Sequence, residues 1–273
     1  MSRLGVLGWP VAHSRSPAMH NAALAELGMS GWHYQRLPVP PALLGETVPA
    51  LRDAGFLGVN VTIPHKEAAL RLADVASDAA RQIGAANTLT FASDGTISAE
   101  NTDAPGLIAA LGVSVAGMRA QVLGAGGSAR AAVWALIGAG AAEVSVWNRT
   151  SERAKALAEQ LGARAVEAPQ RADLLVNCTS VGLDVERSAT EQRGLNQLGL
   201  RGDQIGEYSY VADLVYRSGS TALLAAATAA GARTVDGLEI LAAQGALSFE
   251  LWTGREPPAG VMLRAARAEP AAA

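Results

Sequence analysis

The sequence predicts a two-domain α/β protein whose first domain carries a mostly parallel sheet. Apolar runs of strand length alternate with helical patterns, the alternation restarts near residue 106 behind a glycine-rich turn, and 273 residues exceed what one core comfortably serves. The first unit opens with the apolar run 4–8, after which Ser16-Pro17 begins a helical pattern through Met19, Ala22, Ala23 and Leu27 that Gly28 closes. Residues 32–37 read as a second strand, 41–54 as a helix, 56–63 as a third strand stopped by Pro64, and about 64–72 as another helix. Segments 88–92 and 96–99 flank Asp94-Gly95, a dipeptide that favours tight hairpins, so an antiparallel pair joins this sheet. A helix over 105–111 leads into the strand 119–123 and an Ala-rich helix. The second unit continues with strands at 143–147, 173–178 and 210–215, helices at 152–161 and 220–230, and a polar Gly-containing loop near 184–207. Helical stretches at 238–252 and about 259–267 are too little for a third domain and must pack back on another. The first domain is therefore placed at residues 1–105, completed by 237–273, and the second at 106–236.

Composition removes several classes of function. Cys178 is the only cysteine, which excludes an intramolecular disulfide and any zinc site built on two thiolates, and fits a reducing, cytoplasmic compartment. His13, His20 and His33 lack paired metal spacing, so no metal is expected. Lys plus Arg total 22 against 25 Asp plus Glu, a net charge of −3, and such a chain has no basic excess to hold nucleic acid. No apolar run reaches the roughly 18 residues of a membrane span, and the N-terminus does not read as a secretory signal. With 4% aromatic residues and no apolar stripe, monomer and homodimer both stay open.

The segment Val122-Leu123-Gly124-Ala125-Gly126-Gly127-Ser128-Ala129 stands where a buried strand meets a helix and matches Gly-x-Gly-x-x-Gly/Ala at Gly124, Gly126 and Ala129. Gly124 permits the tight turn, Gly126 lets a pyrophosphate approach the backbone, and Ala129 lets helix and strand pack closely. The pattern is that of a Rossmann domain. The next strand ends Trp147-Asn148-Arg149-Thr150, with Arg153 one turn on. An NAD reader would carry Asp or Glu here for the ribose 2′-hydroxyl, whereas a guanidinium suits a 2′-phosphate, so NADP is the expected cofactor. Thr150 or Ser151 can also serve as N-cap of the following helix.

Ser14-Arg15-Ser16-Pro17 places two hydroxyls before a helix, a plausible carboxylate pocket, while Ser16 reads equally as an N-cap with Pro17 at the first helical position. The run Val59-Asn60-Val61-Thr62-Ile63-Pro64-His65-Lys66 delivers Asn60, Thr62 and Lys66 to the C-terminal end of a strand, where open α/β sheets place ligands. His65 competes with Lys66 as a proton carrier, and Asp103 reads either as a helix cap or as an acid.

These residues resemble shikimate dehydrogenase. The resemblance runs in order along nearly the whole chain: Ser-x-Ser, Asn-Val-Thr-Ile-Pro-His-Lys, Gly-Ala-x-Asn-Thr at 84–88, Asn-Thr-Asp at 101–103, Gly-Ala-Gly-Gly at 124–127, Asn-Arg-Thr at 148–150, Asp-Leu-Val-Tyr at 213–216, and Asp-Gly-Leu with Gln244. It implies reversible, NADPH-dependent reduction of 3-dehydroshikimate to shikimate on the route to aromatic amino acids. Lys66 and Asp103 would be the catalytic pair. Ser14 and Ser16, helped by Tyr216, would hold the substrate carboxylate, and Thr62, Asn87, Asp103 and Gln244 the ring hydroxyls, with Lys66 also against the substrate. Gly124, Ala125, Gly126, Gly127, Ser128, Asn148, Arg149, Thr150 and Arg153 would hold NADP, with Leu214 and Gly237 near the nicotinamide and Asp78 a further cofactor candidate. Leu214 stands where Met is common. The rival readings are a quinate/shikimate dehydrogenase of relaxed specificity and a non-catalytic NADP-binding sensor on the same fold; retention of Lys66 and Asp103 argues against the second.

Overall fold

The computed structural model describes residues 2–183, 191–217 and 219–268, and the chain divides into two compact units, one of residues 1–106 with 241–273 and one of 107–240. In the first, β1 (Ser2–Gly8), α1 (Ser16–Glu26), β2 (Trp32–Pro38), α2 (Leu44–Asp53), β3 (Phe56–Val61) and α3 (Lys66–Arg71) follow in order. Then come β4 (Val75–Ala76), α4 (Asp78–Ile83), β5 (Thr88–Phe91), β6 (Ile97–Glu100) and α5 (Asp103–Leu111). The sheet order is β2-β1-β3-β5-β6-β4. β1 is parallel to β2 and β3, while β5 runs antiparallel to β3 and to β6, joined to the latter by the Asp94-Gly95 turn, where Gly95 takes φ +92°. Leu7, Val48, Val59, Ala69 and Leu89 make the core on one side, and Leu4, Val6, Tyr34 and Trp252 a smaller cluster.

The second unit holds β7 (Arg119–Leu123), α6 (Gly127–Gly138), β8 (Glu143–Trp147), α7 (Ser151–Leu161), β9 (Arg164–Ala165), β10 (Leu174–Asn177), α8 (Glu191–Gln197), β11 (Tyr210–Asp213), α9 (Ala222–Ala229) and β12 (Arg233–Val235). Its order, β12-β11-β10-β7-β8-β9, is parallel throughout, and the direction of winding reverses between β7 and β10. The strands are covered on both faces: Val122, Val144, Val146 and Val176 share one core and Leu123 and Leu175 another, while Gln121 and Ser145 are buried polar residues on β7 and β8. The chain then forms α10 (Gly237–Thr253) and α11 (Ala259–Arg267). Trp252 of α10 lies across β3, donating its Nε1–H to the Leu89 carbonyl at 3.1 Å. A Cβ at Gly58 would sit 2.1 Å from that indole nitrogen, so the bare glycine is what lets α10 dock.

Several boundaries differ from the sequence expectation. α1 begins at Ser16, with Arg15 in the N-cap position making no side-chain cap; Ser14 Oγ instead accepts the Ser16 amide at 3.3 Å. Thr150 does occupy the N-cap of α7 but its hydroxyl caps nothing. The expected helix 41–54 divides into a 3₁₀ turn Pro41–Leu43 and α2. Within the expected loop near 184–207 lie α8 and a 3₁₀ turn Gly202–Glu207; residues 184–190 fall outside the described residues. α5 starts at Asp103, two residues ahead of Pro105, where Asn101 Oδ1 accepts the Ala104 amide at 3.2 Å. Asp103 is thus a first-turn residue and Asn101 supplies the capping bond.

Candidate active site

Lys66 owes its place to the end of β3. The chain turns after Val61, the His65 amide closes on the Thr62 carbonyl at 2.9 Å, and α3 opens on Lys66 itself. A Cβ at Gly8 would come within 2.5 Å of Thr62 Cγ2, so the bare end of β1 leaves room for that half-buried threonine. Lys66 Nζ donates to Asp103 Oδ2 at 2.7 Å, with side chains 11% and 15% exposed. His65 is buried and its Nε2–H is committed to the Val39 carbonyl at 2.7 Å, a structural bond that removes it as a rival proton carrier.

Beneath the pair lies a buried polar floor whose orientation is set by backbone groups. Asn87 Oδ1 accepts the Thr102 amide at 2.7 Å, and since an amide N–H can only donate, the side-chain amide is fixed. Its Nδ2 therefore faces Asp103 Oδ1 at 3.0 Å, Thr102 Oγ1 at 2.8 Å and Gln244 Oε1 at 3.0 Å. Gln244 is oriented the same way, its Nε2 donating to the Leu241 carbonyl at 2.8 Å. Both Asp103 oxygens are engaged, Oδ2 with Lys66 Nζ and Oδ1 with the Asn87 side-chain amide. The floor continues through Thr88 and Ser248 to Asn60, whose Nδ2 reaches Ser248 Oγ at 2.8 Å and Thr88 Oγ1 at 3.1 Å and whose Oδ1 accepts the Tyr34 hydroxyl at 2.8 Å. His20 stacks flat on Tyr34, ring centroids 4.2 Å apart, and neither ring nitrogen has a hydrogen-bond partner. Complete burial pushes its pKa down to about 3.

Gln244 reaches this floor because α10 crosses α5 at a glycine. A Cβ at Gly106 would lie 2.7 to 2.8 Å from the Cβ, Cα and N of Gln244, and backbone atoms cannot swing aside. Gly106→Ala would gain about 1 kcal/mol of helix propensity at an exposed site. Here overpacking, worth about 1–3 kcal/mol, is expected to outweigh that gain. Urea unfolding should show a lower midpoint, together with a drop in activity as Gln244 shifts off Asn87; an unchanged midpoint would contradict the crossing.

Ser14 and Ser16 are buried at the start of α1, and Arg36 on β2 grips the Ser14 carbonyl through Nε at 3.1 Å and Nη2 at 2.8 Å. Asp78 lies exposed on α4, paired with Arg81. The structure thus assembles Lys66, Asn87, Asp103 and Gln244 in one bonded group of the first unit. Thr62 stands four residues before Lys66 with no side-chain bond to that group. Asn60, which the sequence places at the ligand end of its strand, belongs to the same lattice, and so do Tyr34, Thr88, Thr102 and Ser248, which the sequence analysis does not single out. Asn60 and Thr102 lie inside motifs that the sequence does display, and Ser248 follows Gln244 at i+4 on one helix face.

In the second unit, Gly124 takes φ +111°, and a Cβ there would meet the Cys178 carbonyl carbon and oxygen at 3.2 Å, at the winding reversal between β7 and β10. Gly126, by contrast, faces open space: no atom lies within 4 Å of its would-be Cβ. Ala125, Gly126, Gly127 and Ser128 are half-buried ahead of and on the first turn of α6, while Ala129 is fully buried against the strand. Asn148 Nδ2 closes on the Thr150 carbonyl at 2.9 Å. Arg149 and Arg153 are exposed, and among the described residues no carboxylate pairs with either. Leu214 and Tyr216 are half-buried just past β11, and Gly237 opens α10.

Models of three families match. The shikimate dehydrogenase substrate binding domain covers residues 6–89, shikimate/quinate 5-dehydrogenase 108–190, and the shikimate 5'-dehydrogenase C-terminal domain 237–267. A protein of Paracoccus denitrificans named shikimate dehydrogenase (NADP(+)) is 42% identical over 275 residues, 96% of this chain and 94% of its own. The chain belongs to the shikimate dehydrogenase family. Another family member of that name, from Symbiobacterium thermophilum, is 44% identical and covers 97% of this chain. The Thermus thermophilus shikimate 5-dehydrogenase, solved with NADP(H) and shikimate, aligns over 98% of this chain and 99% of its own with 45% identity and a TM-score of 0.86. No helix among the described residues of this family member is long and apolar enough to cross a membrane, and no group of three or more His, Cys, Asp or Glu among them could hold a metal.

Proposed function

We propose that this protein catalyses the reversible, NADPH-dependent reduction of 3-dehydroshikimate to shikimate, a step toward aromatic amino acids, with Lys66 and Asp103 as its catalytic pair. The observation that carries the reading is the 2.7 Å Lys66–Asp103 bond over a polar floor whose amides are already oriented, in a chain 42–45% identical to relatives named for this activity. NADPH, when bound, supplies the hydride that adds to the ketone carbon. As that carbon is reduced its oxygen gains negative charge, and the Lys66 ammonium meets the charge and gives up a proton from Nζ. Asp103 holds Nζ in place through Oδ2, and Asn87 and Gln244 stand beside it to accept or donate to ring hydroxyls. Thr62 adds a hydroxyl at the strand end, and Ser14 and Ser16, aided by Tyr216, hold the carboxylate.

The fit to NADP rests on the second unit. The uncovered Gly126 leaves the backbone open to a pyrophosphate, and the amides of Gly127 and Ser128 head a twelve-residue helix. Arg149 and Arg153, exposed and unpaired by any described carboxylate, with Asn148 and Thr150 beside them, suit a 2′-phosphate. Gly124 and Ala125 shape the turn, and Leu214 and Gly237 would border the nicotinamide. Asp78, exposed on α4, is a further cofactor candidate. Absorbance at the nicotinamide band with shikimate or quinate, and NADP or NAD, tests the whole: shikimate with NADP should be the preferred pair by a wide margin. A preference for quinate would move the protein to the relaxed-specificity class, and no turnover at all would make it a binding protein. Arg149→Ala should raise the KM for NADP by roughly 10- to 150-fold, about 1.5–3 kcal/mol for a charged hydrogen bond, and leave NAD nearly untouched; equal losses for both would refute the assignment.

A further inference from the structure

We propose that Asp213 is a positioning residue whose carboxylate sets the segment 214–216, so that Leu214 and Tyr216 meet the nicotinamide and the substrate carboxylate together. The proposal rests on the roles given to those two residues above. Asp213 ends β11 with no exposed surface, and nothing in the proposed chemistry uses it. Its Oδ1 accepts Asn177 Nδ2 at 2.8 Å and the Val215 amide at 3.0 Å, and its Oδ2 accepts the Thr221 hydroxyl at 2.7 Å. The three donors come from the end of β10, from the middle of the segment and from the N-cap of α9, so one side chain ties the segment to two neighbouring elements. The segment is also pinned from its other side: the Leu214 amide donates to the Asn177 carbonyl at 3.0 Å, and a Cβ at Gly237 would lie 2.7 Å from the carbonyl oxygens of both Leu214 and Val215.

A strand end needs no carboxylate, and burying one is costly unless its acceptors are used. Burial pushes the Asp213 pKa up to about 6, against the opposing pull of Thr221, Val215, Asn177 and the nearby Arg217 charge. Among the described residues Arg217 is the one charged group acting on it; Asn177 and Thr221 do not titrate. A side chain kept at that cost, with its oxygens spent on the amide midway between Leu214 and Tyr216, is explained by the placement of those neighbours.

The test is steady-state kinetics at pH 8 on Asp213→Ala and Asp213→Asn. The alanine variant should raise the KM for NADP and for shikimate together and lower kcat/KM by about 10- to 100-fold, the scale of an ångström's misplacement. The asparagine variant retains an acceptor for the Val215 amide and should recover most of that loss. A folded alanine variant with both KM values within about twofold of wild type, or an asparagine variant no better than alanine, overturns the proposal. Should alanine not fold, Thr221→Val removes the Oδ2 donor and should still raise both KM values; unchanged values overturn it equally. NADPH binding followed by fluorescence separates the two readings. If the wild type binds NADPH but does not turn over shikimate, the proposed function fails, while weaker NADPH binding by Asp213→Ala still supports positioning and unaltered binding by that variant refutes it.

Discussion

Lys66→Ala is expected to lower kcat by about 10² to 10⁴-fold, roughly 3–5 kcal/mol, with the KM for shikimate changed only a few-fold. The reason is local. Lys66 Nζ is the ammonium bonded to Asp103 at 2.7 Å, and His65, the neighbour that could have substituted as a proton carrier, is buried and bound to the Val39 carbonyl. Asp103 would keep its bond from Asn87, so the floor survives the deletion and the loss should fall on turnover more than on binding. Lys66→Arg should rescue poorly, because a guanidinium keeps the charge but does not release its proton near neutral pH. Rates with saturating shikimate and NADP, compared with circular dichroism to check the fold, decide the matter: near wild-type turnover in the alanine variant would remove Lys66 from the chemistry.

The second large effect concerns stability in acid. His20 is held neutral in the fold, its pKa pushed from 6.5 down to about 3 by complete burial. A group whose folded pKa is depressed contributes stability that is whole above its unfolded pKa and is lost as pH falls toward the folded value. From pH 6.5 to 3 the drop amounts to about 5 kcal/mol at 1.36 kcal/mol per unit, a large part of a typical folding free energy. His20→Phe keeps a flat ring under Tyr34 and cannot titrate. Whatever it costs at pH 8 through its larger volume, its unfolding free energy should fall far less steeply across that window than the wild type's. Parallel urea-unfolding curves for the two proteins between pH 7 and 4 would refute the assignment of acid lability to this imidazole.

Long periodic elements were legible in the sequence because their pattern repeats. The helices at 16–26, 151–161 and 237–253 and the apolar strands β1, β3, β7 and β8 needed no tertiary information. The strands β4, β9 and β12, of two, two and three residues, are too short to show a period, and they exist because a neighbouring strand offers its edge. The start of α5 departs from the expected residue 105 because Pro105 mimics a first helical position, whereas the helix begins at Asp103 with Asn101 accepting the Ala104 amide. At the site, Lys66 and Asp103 stand in motifs and could be named, as could Asn87 and Gln244. Tyr34 and Ser248 could not, since their part depends on side chains 26 and 188 residues from Asn60 meeting it in the folded state.

The order in which the sequence is read bears on how the protein is made. The second unit is a single stretch, but the first draws Gln244, Ser248 and Trp252 from beyond it. During synthesis the later-encoded Rossmann unit has all its strands once Val235 has emerged, whereas the earlier-encoded unit waits with Asn60 and Asn87 short of partners until α10 leaves the ribosome. The half carrying the lysine–aspartate pair can therefore close its buried polar network only after Gln244, Ser248 and Trp252 have joined it.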